Sequence, residues 1–294
     1  MRNPRLPGLA LLAAPLLLLT ACGAPPATDD GSGSGGGGSS EGASAEDCAA
    51  DLDLTKPGVL TIGTDSPAFD PWFSENDPAN GEGFESAVAY AVADRLGFSE
   101  DQVEWTTVPF NNSYAPGPKK FDFDVNQISI TPERERVVDF STGYYTASQA
   151  VVALDKSGIE PGSIDDLKGL KLGAQTGTTS LTALRDVIDP DADPVVLQNT
   201  NIAKQQLLNG QLDAIVADLP TAFYITGAEI EGSSVVGQFE QPEGESEEFG
   251  LLLEKGSDLT PCTDDAIAEL QEDGTLEELQ QKWLSTTVDV PVLE

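Results

Sequence analysis

From Pro57 onward the hydrophobic positions follow two rhythms. Val59 to Thr64 is a short β-rich run and predicts a strand, whereas Phe84 to Leu96 places Phe84, Val88, Ala91, Val92 and Leu96 on one helical face. Val103 to Val108, Lys171 to Ala174 and Ala214 to Ala217 predict further strands. Thr179 to Val187, Ile202 to Leu208, Thr263 to Gln271 and Leu276 to Leu284 predict helices, with Gly210 and Gly274 as stop signals. Strands and helices that alternate in this way predict an α/β architecture with largely parallel sheets. No internal repeat is visible.

The first residues follow a different pattern. Arg2 and Arg5 precede an apolar run from Leu6 to Ala21 that is interrupted by Pro7 and Pro15 and is shorter than the roughly 20 residues of a spanning helix. The run therefore predicts a secretory signal over residues 1–21. It ends in Leu19-Thr20-Ala21-Cys22, which resembles the bacterial lipobox, where the cysteine receives a diacylglyceryl group and becomes the first residue of the mature chain. Residues 22–47 are rich in glycine and serine, including four consecutive glycines from Gly35, and such a stretch behaves as a flexible leash. Its typical reach is about 28 Å by random-coil scaling.

Composition narrows the chemistry. Histidine is absent from the 294 residues, which removes imidazole bases, most nucleophilic triads and the commonest transition-metal ligand. The formal net charge is -35, from 15 basic and 50 acidic residues, so nucleic acid is excluded as a partner by repulsion. With Cys22 assigned to lipid, Cys48 and Cys262 remain as a disulfide pair in an oxidising compartment, or as two free thiols. Two other motifs fail on inspection. Asp189 to Asp193 has Pro194 and Thr200 where a calcium loop needs Gly and Glu, and the glycine tract lacks the strand and lysine of a phosphate loop.

The segments "LTIGTDSPAFDPW", "GEGFESAVAYAVADRLG", "ISITPERERVVDFSTGYY", "IDDLKGLKLGAQTGTTS", "LDAIVADLP" and "DGTLEELQQKW" occur in that order between Leu60 and Trp283. In order and spacing they resemble the amino-acid-binding family of periplasmic-type solute-binding proteins. The resemblance implies the type II periplasmic binding protein fold, two α/β lobes joined by two hinge strands. Residues 48–144 and 247–294 would form the first lobe and 145–246 the second. It also implies a lipid-anchored protein on the outer face of the cytoplasmic membrane, a monomer that needs no cofactor and serves an ABC permease.

The family's ligand contacts map onto the chain residue by residue. Arg134 matches the arginine that forks onto the α-carboxylate, where a guanidinium offers two parallel donors. Gln127 and Ser129 match backbone and hydroxyl contacts, although the usual occupant at Gln127 is smaller. Thr178 and Thr179 stand where a loop enters a helix, so free N–H groups and the helix dipole favour an anion. Asp218 matches the acid that receives the α-ammonium, and an aspartate before Leu-Pro is equally a good helix N-cap. Asp65 and Phe69 match a side-chain reader and an aromatic wall. One extra residue before Phe69 leaves Phe69, Trp72 and Phe110 as alternative walls. Gln175 replaces a frequent lysine, which leaves no obvious cation near that motif for a second carboxylate.

The expected ligand is thus a polar amino acid, with amide and basic side chains ahead of acidic ones because Asp65 would repel a carboxylate. Two other functions fit the same lobes. One is an amino-acid sensor for a separate signalling partner. The other is a dehydratase-like enzyme working through carboxylates or tyrosines.

Overall fold

The computed structural model describes residues 44–49, 52–240, 247–284 and 290–294. The expected signal over 1–21, the lipid site Cys22 and residues 22–43 of the leash lie outside the described residues. A short helix, α1 (Ala45–Ala49), begins inside the last part of the expected leash.

The first sheet is built from β1 (Leu60–Thr64), β2 (Val103–Thr107), β3 (Phe123–Asp124) and β4 (Val138–Phe140). Between them run α2 (Phe84–Arg95), α3 (Phe110–Ser113) and α4 (Pro132–Glu135). Then β5 (Tyr145–Thr146) leads into β6 (Gln149–Leu154), the first strand of the second sheet. That sheet adds β7 (Leu172–Gln175), β8 (Val195–Leu197), β9 (Ala214–Asp218) and β10 (Ser233–Phe239). Its helices are α5 (Thr179–Ala183), α6 (Thr200–Leu208) and α7 (Leu219–Tyr224). The chain returns through β11 (Glu248–Phe249) and β12 (Leu252–Glu254) to α8 (Thr260–Glu272) and α9 (Thr275–Leu284). The strand orders are β2-β1-β3-β12-β4 and β10-β6-β9-β7-β8.

The sheets are mixed, which corrects the expectation of largely parallel pairing. In each sheet the strands joined by crossover helices are parallel: β1 with β2 and β3, and β7 with β8 and β9. β6 and β12, which arrive straight from the other lobe, pair antiparallel with their neighbours. They enter with no intervening helix to reverse their direction. The two crossing segments pair with each other, since β5 and β11 form an antiparallel ribbon of their own. This ribbon supplies the two hinge strands.

Burial explains why the second lobe needs helices on both faces. All six residues of β6 are buried, and they alternate: Ala150, Val152 and Leu154 enter one core while Val151 and Ala153 enter another. In the first lobe, Trp72, Phe73, Phe84, Phe123 and Phe249 form an aromatic-rich core beneath α2 and α8. The helix expected over Thr179 to Val187 is α-helical only to Ala183 and then widens into a π-type turn over Leu184–Ile188.

The C-terminal end departs from the expected boundary. Residues up to 294 were assigned to the first lobe, but Val292 pairs alongside Gln238, and Leu293 N donates to Gln238 O at 2.8 Å. Leu293 also belongs to the second lobe's core. The slot it fills exists because position 237 has no side chain, as a Cβ there would lie 2.5 Å from Leu293 Cδ1. The edge of β10 is thereby covered.

Candidate functional site

A cavity of about 540 Å³ lies between the lobes. The loop after β1 contributes Asp65 and Phe69, the segment after β3 contributes Gln127 and Ser129, and the ends of β7 and β9 contribute Gln175, Thr178, Thr179 and Asp218. Eight of the nine expected ligand positions thus share one wall system. The ninth, Arg134, lines an adjoining cavity that shares Ser129, Thr178 and Thr179 with the first. The seam between them is the contact of Ser129 Oγ with Thr179 Oγ1 at 3.2 Å.

Arg134 is buried, and Thr131 caps its short helix with Pro132 at the first turn. The guanidinium donates to Ser129 O at 2.6 Å within the first lobe and to Gly177 O at 2.9 Å in the second. It also lies 4.8 Å from the centre of the Tyr114 ring and 5.6 Å from that of Phe110. Gly177 lets α3 of the first lobe come close to the second, because a Cβ there would meet Asn111 Oδ1 at 2.1 Å and its φ of +78° suits glycine. The arginine is a locked interlobe group and not a surface charge.

Thr178 does cap α5, accepting from Leu181 N at 3.2 Å. Asp218 stands before α7 but makes no side-chain cap. Instead it accepts from Gln149 Nε2 at 2.7 Å, and the same amide also donates to Glu247 at 2.6 Å. Burial raises the Asp218 carboxyl well above its usual range, Glu247 adds to the rise, and Arg134 opposes it. An ammonium is the group that would relieve this crowding of negative charge.

Asp65 accepts from Ser66 N at 2.6 Å and Phe110 N at 3.2 Å, so the extra residue before Phe69 does not turn it out of the cavity. The aromatic alternatives separate by burial. Trp72 is fully buried and donates Nε1–H to Thr221 Oγ1 across the cleft at 2.8 Å, whereas Phe69 is half-buried against the cavity. Gln127 adopts a φ of +46° and turns its amide to Glu85, which accounts for a large residue where a small one was expected.

Three contributors were missed. Asn126 lines the cavity beside Gln127. Lys204, on α6, also lines it and is paired with Glu229, so a second cation is present in the cleft after all. Glu85 is fully buried beneath the site, accepting from Gln127 N and the Tyr144 hydroxyl. Nothing in the sequence distinguished Glu85 from an acid complementing a helix N-terminus.

Desolvation raises Glu85 from the usual 4.5 to about 7, against the opposing hydrogen bonds from Tyr144 and Gln127. Its neighbour Asp124 has neither oxygen hydrogen-bonded among the described residues and is raised as well, by burial first and then by Glu85. The sign follows from linkage. The folded chain keeps a proton on Glu85 that the unfolded chain releases above about pH 4.5, so this contribution favours folding at low pH and is lost as pH rises toward 7. The loss amounts to about 3 kcal/mol at most, at 1.36 kcal/mol per unit. Glu85→Gln is expected to flatten the stability profile through that window. Urea midpoints at pH 5 and pH 7.5 check it, and an unchanged difference would mean that Glu85 is not its source.

The chain matches the bacterial extracellular solute-binding proteins, family 3, over residues 60–286. It is 33% identical over 244 residues to the L-cystine-binding protein TcyJ of Escherichia coli (strain K12), covering 79% of this chain and 84% of that one. It is 29% identical to the arginine-binding extracellular protein ArtP of Bacillus subtilis (strain 168), with 77% and 86% covered. Among solved structures it resembles an ancestral arginine-binding protein bound to arginine, at 31% identity and a TM-score of 0.65, over 78% of this chain and 99% of that chain. The order of the sheets, the two-strand hinge and the match across most of the folded region lead to one assignment. The chain belongs to family 3 of the bacterial extracellular solute-binding proteins and has their two-lobed type II fold.

Proposed function

We propose that the chain captures a polar amino acid between its lobes, outside the cytoplasm, and delivers it unchanged to the permease of an ABC importer. The observation that carries this reading is the placement of Arg134 and Asp218. A buried guanidinium from the first lobe and a half-buried carboxylate from the second stand close enough to influence each other's protonation. Between them lie the hydroxyls of Ser129 and Thr179. Such a set matches the carboxylate and ammonium of an α-amino acid, and a ligand that touches both lobes stabilises only the closed arrangement. Acidic side chains are disfavoured because Asp65, Asp70 and Glu229 all line the cavity. The relatives named for cystine, arginine and histidine are consistent with this.

A thermal-shift panel of the twenty amino acids on the purified full chain tests the reading. At 100 times its dissociation constant the ligand is expected to add about 2.7 kcal/mol of stability. A melting temperature raised most by glutamate or aspartate would overturn the preference, and no response to any of the twenty or to L-cystine would overturn the function.

We also propose that Cys22 carries lipid and that the chain acts as a tethered monomer, held on the membrane because two or more acyl chains anchor where one does not. The support is the leucine-rich run ending Leu19-Thr20-Ala21-Cys22. Cys22→Ala is expected to move the protein from the membrane fraction to the soluble fraction without changing ligand affinity. Membrane association that survives the substitution would refute the anchor.

A further inference from the structure

One part of the cavity wall carries an ion pair that the amino-acid head group leaves unused. Lys204 is 8% exposed, its Nζ lies 2.5 Å from Glu229 Oε1, and it sits 5.1 Å from the centre of the Phe69 ring. Both members of the pair line the same cavity as Asp218. The lysine is held in place from below. Gln175 Oε1 accepts from Thr200 N and Thr200 Oγ1 at 3.0 Å each, fixing the start of α6 one turn before Lys204. Tyr224 lies within electrostatic reach of Asp70 of the first lobe and of Glu229.

The two charges decide what this wall can accept. A cationic side chain brought here meets Lys204 as a like charge, and an anionic one meets Glu229 and Asp70. A cation that draws Glu229 away leaves the buried Lys204 ammonium unpaired, which is costly, while an anion faces Asp70 and the more exposed Glu229 as like charges. A group that carries both charges can instead lie against the pair, its carboxylate toward Lys204 and its ammonium toward Glu229. The cavity volume of about 540 Å³ falls in the range of about 300–1,000 Å³ that encloses ligands larger than one amino acid. The Phe69 ring offers an apolar surface for a short linker, and a sulfur linker suits an aromatic neighbour.

We propose that Lys204 and Glu229 form a distal subsite for a second α-amino-acid head, so that the ligand is double-ended: two zwitterionic heads joined by a short apolar linker. This rests on the reading of Arg134 and Asp218 as the site of the first head. It also explains how Gln175 can occupy a place where a lysine was expected, since the cation is supplied from α6 and Gln175 positions it.

Calorimetry on the purified full chain tests the subsite with four probes. L-Cystine and the thioether L-cystathionine have two heads, and the thioether cannot exchange with a free thiol. S-Methyl-L-cysteine and L-glutamine have one. Both double-ended probes are expected to bind at least about 30-fold more tightly than either single-ended one, a margin of the size expected when buried polar groups go unpaired. In the neutral double variant Lys204→Met/Glu229→Gln that advantage is expected to fall to within about threefold, the loss expected when matched charges are removed. Single-ended probes that bind the native chain as tightly as double-ended ones would overturn the subsite while leaving the amino-acid reading intact. Failure of all four, with no other amino acid bound, would overturn both. The native comparison needs no variant, so a misfolded double variant leaves the proposal exposed to refutation.

Discussion

Arg134→Ala is expected to lower amino-acid affinity by at least a hundredfold. Two charge-assisted hydrogen bonds to a carboxylate contribute about 1.5–3 kcal/mol each, and the variant loses both. The guanidinium has five N–H donors and uses Nη1–H and Nη2–H on Ser129 O and Gly177 O, which leaves donors for a ligand. A group present only for its ligand would be removable at little cost in stability. The packing of Arg134 against Tyr114 and its two carbonyl partners argue otherwise, and the variant is expected to be destabilised by about 1–3 kcal/mol as well. Arg134→Lys separates the two effects, because it keeps the charge and loses the fork, and it is expected to bind more weakly than the native chain but better than alanine. Calorimetry with the best ligand of the panel is the measurement. Affinity within about threefold of native in Arg134→Ala, below the cost of one charged hydrogen bond, would mean that another residue holds the carboxylate.

Much of this site could be read before any coordinates because its chemistry is tied to short local motifs. Arg134 sits at a fixed distance from Ser129 in one strand-to-helix turn, and Thr178 caps the helix that follows its own strand. Asp218 ends β9 next to Pro220, where proline fixes the start of α7. In each case neighbours in sequence determine the geometry. Lys204 and Glu229 have no such context. On α6 a lysine reads as part of a solvated polar face, and only the tertiary packing of Phe69 and Glu229 against it makes it part of a cavity.

The same distinction separates elements from their arrangement. The strand over Leu60–Thr64 and the helix over Phe84–Arg95 follow from periodicity, within a residue of their expected limits. The antiparallel entry of β6 and β12 does not, because direction depends on where the chain crosses between lobes and not on side-chain pattern. The seat of Leu293 on the second lobe depends on a missing side chain at Gly237, which is distant in sequence. Glu85 illustrates the limit most clearly. Its place in the first turn of α2 predicts an exposed acid, yet Gln127 and Tyr144, from segments more than forty residues on, enclose it.

Replacing the disulfide is expected to have the largest effect on stability. Cys48 and Cys262 are bonded with their Cα atoms 5.4 Å apart at a sequence separation of 214, joining α1 to α8. α1 has five residues, too few to persist alone, and its place depends on Ala45 and Ala49 in the first lobe's core and on the hydrogen bond from Ala45 N to Glu269 Oε1 at 3.2 Å. In the chain-entropy view, closing so long a loop in the unfolded state is worth up to about 5 kcal/mol. The Cys48→Ser/Cys262→Ser variant is therefore expected to lose about 3–5 kcal/mol, which at roughly 2–4 °C per kcal/mol lowers the melting temperature by about 6–20 °C. Neither cysteine lines the cavity, and both belong to one lobe, so the hinge is left free to close. Ligand affinity at low temperature is accordingly expected to stay within about twofold. Thermal melts of the native chain with and without reductant, set beside those of the variant, measure the first expectation and calorimetry the second. Identical melts in all three would show that the bond contributes no stability, while an affinity that fell in step with stability would show that α1 shapes the cleft through the first lobe's core.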